Sequence, residues 1–220
     1  METWQERFAR ANFARSADTA HDLKTPLNIA VLNLELLRMR LRKLRDGEDD
    51  EKLMGYSRAI ESELRRMGKI FDEFFILSTP PKNDESPEMV DLAGLCSAAA
   101  EAGGFEIGPQ PRLLIEAHES RIRQALALFF EGASRLFVTE ARQVDAGSDE
   151  SVYTVSVEGQ PAAGVELARI FKFYYTDPEG NADLSLSMAR LIIETYGGTL
   201  NVLENSDNVT LRLTLPVGAQ

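Results

Sequence analysis

Residues 21 to 28 read His-Asp-Leu-Lys-Thr-Pro-Leu-Asn and hold the densest chemistry in the chain. His21 is one of two histidines. A solvent-facing imidazole can attack a phosphoryl group in line, with the adjacent Asp22 accepting or steering its proton. Thr25 and Asn28 follow at i+4 and i+7, on the same face of a helix. Either can orient a water towards a phosphoryl group on a partner, which is hydrolysis instead of transfer. Pro26 has no N–H, so the carbonyl of Asp22 loses its helical partner. A kink is expected one turn from His21. The bland reading of the same residues is a surface histidine among solvated charges.

These residues need a long helix to position them. Residues 3 to 45 carry one, with Leu23, Leu27, Ala30, Leu34, Leu37, Leu41 and Leu44 at three- and four-residue spacing. Gly47 in an acidic turn breaks it, and Asp49 or Asp50 can cap the next helix. That helix spans 51 to 78, with Leu53, Tyr56, Ile60, Leu64, Met67, Phe71 and Phe74 as its stripe. Two long helices around a short turn make an antiparallel hairpin. Neither partner alone buries both stripes, so a homodimeric four-helix bundle is expected. The competing expectation is that residues 81 to 220 cover the stripe within one chain.

A Pro-rich polar stretch, Ser78 to Pro87, ends the hairpin. The domains are expected at 1–80 and 88–220, with a linker at 81–87. In the second part, helices are predicted over 89–102, 118–137 and 184–196, with a short helical stretch over 167–175. Strands are predicted over 112–116, 152–157, 199–203 and 209–215, the last two forming a hairpin. The fold class that follows is α plus α/β: a hairpin, then a sandwich of one sheet with helices on one face.

Composition narrows the function. The single cysteine, Cys96, excludes a disulfide framework and a thiolate metal cluster, and it is expected in the core. His118 is expected at the surface or as a helix cap. The net charge is -11. Residues 1–80 are balanced, so the acidic excess lies in the second part and argues against a nucleic-acid partner. No run is long enough to cross a membrane, and no signal-peptide core precedes residue 21. A cytoplasmic protein without a membrane partner is the expectation.

The octapeptide at 21–28 resembles the H-box of bacterial sensor histidine kinases, and the hairpin is similar to theirs in length and stripe. The resemblance implies that His21 carries the phosphoryl group, that Asp22 assists, and that Thr25 supports phosphatase action on a response regulator. Residues 88–216 resemble the ATP-binding domain of the same family. Ser120 to Leu126 is similar to the opening of its N-box helix, and Arg169 to Thr176 to its phenylalanine box. Leu184 to Gly198, with Leu213 to Pro216, is similar to its last helix and strand.

The nucleotide-binding positions depart from that pattern. Two asparagines of the N-box correspond to Leu128 and Gly132, neither of which can ligate magnesium. The Asp-x-Gly-x-Gly motif corresponds to 157–164, where Glu158 stands near the Asp position and Pro161 interrupts the pattern. The Gly-Leu-Gly-Leu motif reads Asp183-Leu184-Ser185-Leu186, which places a carboxylate where phosphate would approach. The loop from Tyr175 to Asp183 is short for an ATP lid.

The expectation is therefore a degenerate ATPase-type domain and a dimeric histidine phosphotransferase. His21 would relay phosphate between receiver aspartates without ATP, and an ATP-dependent kinase is disfavoured. Response-regulator receivers are the expected partners, and a hybrid histidine kinase is a further candidate. The receiver is expected to dock on Lys24, Asn28, Val31, Phe74 and Leu77. No cofactor is expected on this chain, with magnesium held by the receiver. The alternatives are a response-regulator phosphatase, a non-enzymatic module binding a two-component partner, and a divergent active kinase.

Overall fold

The structure is a computed structural model. It describes residues 25–41, 51–78, 87–138, 143–149, 151–172, 175, 183–205 and 208–217, together with Glu6. Helix α1 (25–41) is followed by α2 (Glu51–Ser78), and the two form a hairpin. Ala30 is buried and Leu34 and Leu37 are half-buried, but Leu27 and Leu41 of the same stripe are exposed. On α2, Tyr56, Ile60 and Met67 are half-buried, while Leu64 is 54% exposed and Phe71 53%. A groove of about 540 Å³ runs between the helices, lined by Leu34, Leu37, Ser57, Ile60, Glu61, Leu64 and Arg65. One chain thus leaves much of its predicted stripe in water. The predicted linker falls almost wholly outside the described residues, as does the helix before residue 25, apart from Glu6.

Two sheets follow where one was expected. Strand β1 (Glu88–Asp91) pairs antiparallel with β3 (Leu114–Ala117). The larger sheet also contains β2 (Glu106–Ile107), β4 (Gln143–Ser148), β5 (Val152–Gly159), β6 (Thr199–Asn205) and β7 (Asn208–Pro216), in the order β2-β4-β5-β7-β6. Residues 89–91 are strand, not the predicted helix. Helix α3 (Leu92–Ala102) starts only after Asp91, whose Oδ1 accepts from the N–H of Gly94 (3.2 Å) and of Leu113 (3.3 Å). That cap is worth about 1 kcal/mol.

Alternation along β5 sends Tyr153, Val155 and Val157 into the core and leaves Thr154, Ser156 and Glu158 on the other face. Their partners on β7 are Leu215, Leu213 and Leu211, all buried. Helices α4 (Glu119–Leu136) and α5 (Ser185–Thr195) complete the layer. Phe129, Phe130 and Ile122 of α4 and Ile193 of α5 are fully buried. Gly197 ends α5 at φ 78°, the left-handed position a helix stop favours, and Gly198 lies against the Thr214 carbonyl, where a Cβ has no room.

Cys96 is buried, as expected, and burial pushes its thiol up to about 11. Burial also raises the neighbouring Tyr153 phenol, with Cys96 adding to the shift. An unfolded thiol titrates near about 8.5, so above that pH the unfolded chain holds fewer protons than the folded one. Stability is therefore full below about pH 8.5 and falls towards pH 11, by on the order of 3 kcal/mol for the thiol alone. Cys96→Ala is expected to make that fall shallower in urea unfolding. An unchanged slope would overturn the assignment.

Candidate functional site

His21, Asp22 and Lys24 lie outside the described residues. Thr25 is half-buried at the start of the described part of α1, followed by Pro26, which is buried. Asn28 and Val31 are exposed one and two turns on. Phe74 and Leu77 belong to the last turns of α2, and their side chains fall outside the described residues. The structure thus places Asn28 and Val31 on an accessible helix surface. It does not bring the full predicted set together.

The second half shows what fills the positions that depart from the nucleotide-binding pattern. Leu128 is half-buried and packs against the core. Gly132 is buried on α4, facing α5. A Cβ there would stand 2.5 Å from Cγ and Cδ2 of Leu186 and 2.9 Å from Oγ of Ser185. Leu186 therefore occupies the notch that the missing side chain leaves. Beside it, Arg135 Nη1 donates to Asp183 Oδ1 at 2.9 Å, while its Nη2 is held by Glu131. Asp183 also accepts from the N–H (3.0 Å) and Oγ (2.5 Å) of Ser185. Its own N–H donates to the Tyr175 carbonyl at 3.1 Å. A carboxylate just before the N-cap of α5 suits the positive end of the helix dipole. It stands where an anionic ligand would otherwise be held.

The Asp-x-Gly-x-Gly counterpart is engaged elsewhere. Glu158 is exposed, on the face of β5 away from the core, and accepts from Asn208 Nδ2 at 3.2 Å. The next residues stitch the end of α4 to the sheet. Val138 donates to the Gln160 carbonyl (3.1 Å), Ala162 to the Leu136 carbonyl (2.8 Å), and Phe137 bridges Pro161. The family's magnesium does not fit the residues present. Leu128 and Gly132 offer no oxygen side chain, and no group of three or more metal-capable side chains occurs among the described residues.

His118 corrects an expectation. It stands at the N-cap of α4 without a side-chain cap bond, and it is 3% exposed. Its Nδ1 lies 2.9 Å from the Tyr196 hydroxyl. Sequence reasoning also missed Arg135, because its partner Asp183 lies 48 residues away. The aspartate in the glycine-motif position was the only signal for that pair. Arg190, with its guanidinium 4.9 Å above the Phe171 ring, was not singled out either.

The chain with this helical hairpin and mixed α/β half is histidine-kinase-like in sequence, similar to proteins of two-component signalling. Residues 15–81 match the His Kinase A (phospho-acceptor) domain. The chain is 28% identical over 237 residues to the sensor histidine kinase CusS of Escherichia coli (strain K12), an alignment covering 98% of this chain and 48% of that protein. Among solved structures it is similar to the Acinetobacter baumannii histidine kinase AdeS, with a TM-score of 0.49 and 16% identity over 90% of this chain and 98% of that one. It is also similar to the catalytic domain of histidine kinase ThkA, with a TM-score of 0.47 and 20% identity over 62% of this chain and 100% of that one. The chain spans about half the length of the curated relatives it matches. It is a protein with a His Kinase A domain, related in sequence to sensor histidine kinases.

These findings correct two expectations, the ATP-free phosphorelay through His21 and the disfavouring of an ATP-dependent kinase. The alignment with CusS runs through both halves and takes in nearly the whole chain, not the hairpin alone. A second half related along its length to that of a sensor kinase weighs against a pure phosphotransfer protein. No described helix is long and apolar enough to cross a membrane.

Proposed function

We propose that this chain is the phosphoacceptor and α/β portion of a divergent histidine kinase, in which His21 accepts the phosphoryl group. The observation that carries this is the CusS alignment over 98% of the chain, with the phospho-acceptor match over residues 15–81. Asp22 assists at the neighbouring position. Residues 1–80 form the acceptor unit and 88–220 the α/β unit, joined by 81–87. A response-regulator receiver docks on Lys24, Asn28, Val31, Phe74 and Leu77, and holds its own magnesium. The test is incubation with labelled ATP, which should leave an acid-labile phosphate on the wild-type chain. A chain that neither binds ATP nor takes up label would remove the kinase reading.

The active species is a homodimer on this proposal. Leu64 and Phe71 and the groove at Leu34, Leu37 and Ile60 stay open in one chain. A second hairpin would cover them as a four-helix bundle. Light scattering should give twice the chain mass of 24.4 kDa. A monomer at micromolar concentration would exclude the bundle.

The contact of Leu186 with Gly132 favours a second reading, a response-regulator phosphatase. Hydrolysis of a receiver's phospho-aspartate uses the Thr25 face and no cleft between α4 and α5. Thr25→Ala would then stop dephosphorylation of a phosphorylated receiver, and unchanged dephosphorylation would remove this reading.

A further inference from the structure

We infer that the outer edge of β6 takes an added β-strand from another protein, an extended segment whose carboxylate meets Arg212. The inference does not depend on the kinase reading.

β6 lies at one end of the larger sheet, and β7 is its only strand neighbour among the described residues. A strand so placed turns a row of backbone N–H and C=O groups away from the sheet. Natural edges are ordinarily blunted by lysine, proline, a bulge or short length. The seven residues Thr-Leu-Asn-Val-Leu-Glu-Asn hold no lysine and no proline, and their one charge is Glu204. The register with β7 runs without a skipped residue from Thr199 opposite Thr214 to Asn205 opposite Asn208, so no bulge turns the edge away. The sheet's other end is β2, which has only two residues. On β6, Leu203 is 39% exposed and Val202 half-buried, on opposite faces of the sheet. An added strand would cover both.

The open face of the sheet beside this edge says what the segment carries. Alternation places Asn201 and Leu203 of β6, Arg212 of β7, and Ser156 and Glu158 of β5 on that face. Arg212 is exposed and stands between Asn201 and Ser156. Its guanidinium has no ion pair or hydrogen bond among the described residues. The polar groups around it are taken up elsewhere. Asn201 donates to the Thr199 hydroxyl at 3.2 Å, and the hydroxyls of Thr199 and Thr214 lie 2.8 Å apart. Glu158 accepts from Asn208. Nor does β6 supply a carboxylate, because Glu204 pairs with Val209 and points to the other face. A residue on an added strand opposite Asn201 stands two strand spacings from Arg212, about 10 Å, which an arginine and a glutamate side chain span together. An aliphatic residue two positions along then lies beside Leu203. The same charge decides the occupant. A second copy of β6 that continues the sheet with its helices on the same side brings only threonine, asparagine or leucine to the open face. A segment of a different protein that alternates side chains and carries one acid answers Arg212, the mode of recognition known as strand addition.

The experiment titrates the full chain into a short fluorescent peptide of alternating threonine and valine, with one glutamate and, two positions on, one leucine. The wild type is expected to bind it with a Kd of about 100 µM or tighter, and to bind the same peptide with lysine for glutamate about tenfold more weakly. Arg212→Glu is expected to reverse that preference. The fully N-methylated peptide should not bind, because strand addition needs its backbone donors. Hydrogen exchange in the 199–205 segment should slow in the complex, with 152–159 unchanged. No binding to the wild type overturns the inference, as do equal binding of the two charged peptides, binding of the N-methylated one, and a glutamate preference that survives in Arg212→Glu. The lysine peptide tests the charge on the wild type itself, so the result does not depend on how the variant folds. Light scattering of the chain alone that shows association lost in Leu203→Lys would place a second copy on the edge, and overturns it too.

Discussion

A His21→Ala chain incubated with labelled ATP is expected to hold less than about one-hundredth of the acid-labile phosphate of the wild type, the loss that follows removal of a nucleophile. The structure makes this test clean. The chain has only two histidines. The other, His118, is 3% exposed, and its Nδ1 is engaged with the Tyr196 hydroxyl. It can neither reach a phosphoryl donor nor align for in-line attack, so any phosphohistidine reports His21. Asp22→Asn should slow labelling without abolishing it, because the neighbour assists and does not carry the phosphate. Label that persists in His21→Ala, or is stable to acid, would move the acceptor to another residue.

The parts of the fold legible from sequence are those with strong local signals. Helix α2 runs over the predicted span because an apolar stripe, an acidic start and a Pro-rich end agree. The β6–β7 pair was legible because two alternating runs flank a polar turn, and its register closes at Asn205 and Asn208. Strand β1 was not. Met89-Val90-Asp91 precedes a run of Leu and Ala that reads as helix, and only the pairing of Val90 with Ile115 decides otherwise. Asp91 was the one local clue, as a cap three residues before Gly94. Strand β4 reads Gln-Val-Asp-Ala-Gly-Ser, with only Val144 buried, so its identity comes from β5 beside it. The burial of His118 depends on Tyr196, 78 residues away.

At the candidate site, residue types told which donors were replaced, and they led to an ATP-free relay. The likeness of residues 88–216 to an ATP-binding domain was legible as well, but the replaced donors were given more weight than it, and the alignment along nearly the whole chain corrected that inference. Residue types could not tell what takes the place of the lost side chains. Gly132 as a socket for Leu186, and Asp183 as the partner of Arg135, exist only once α4 and α5 are side by side.

Gly132→Val is expected to lower the stability of the chain by about 3 kcal/mol, at the upper end of what overpacking costs. Glycine inside a helix is ordinarily a weakness, and replacing it with alanine adds about 0.5–1 kcal/mol where nothing is in the way. Gly55 on α2 is such a place, with no atom within 4 Å of where a Cβ would stand, so Gly55→Ala should stabilise. At Gly132 the sign reverses. Leu186 meets the new Cβ at 2.5 Å, and valine adds branches that its neighbours cannot avoid. The seam then either holds under strain or opens, and both raise the free energy of the folded chain. Urea unfolding of the two variants beside the wild type measures the contrast, and a loss below about 1 kcal/mol for Gly132→Val would show that the seam is not packed. The same contact decides how an asparagine at this position would behave. Gly132→Asn supplies a carboxamide but must first displace Leu186, so a gain in nucleotide affinity is expected when it is combined with Leu186→Ala and not from Gly132→Asn alone.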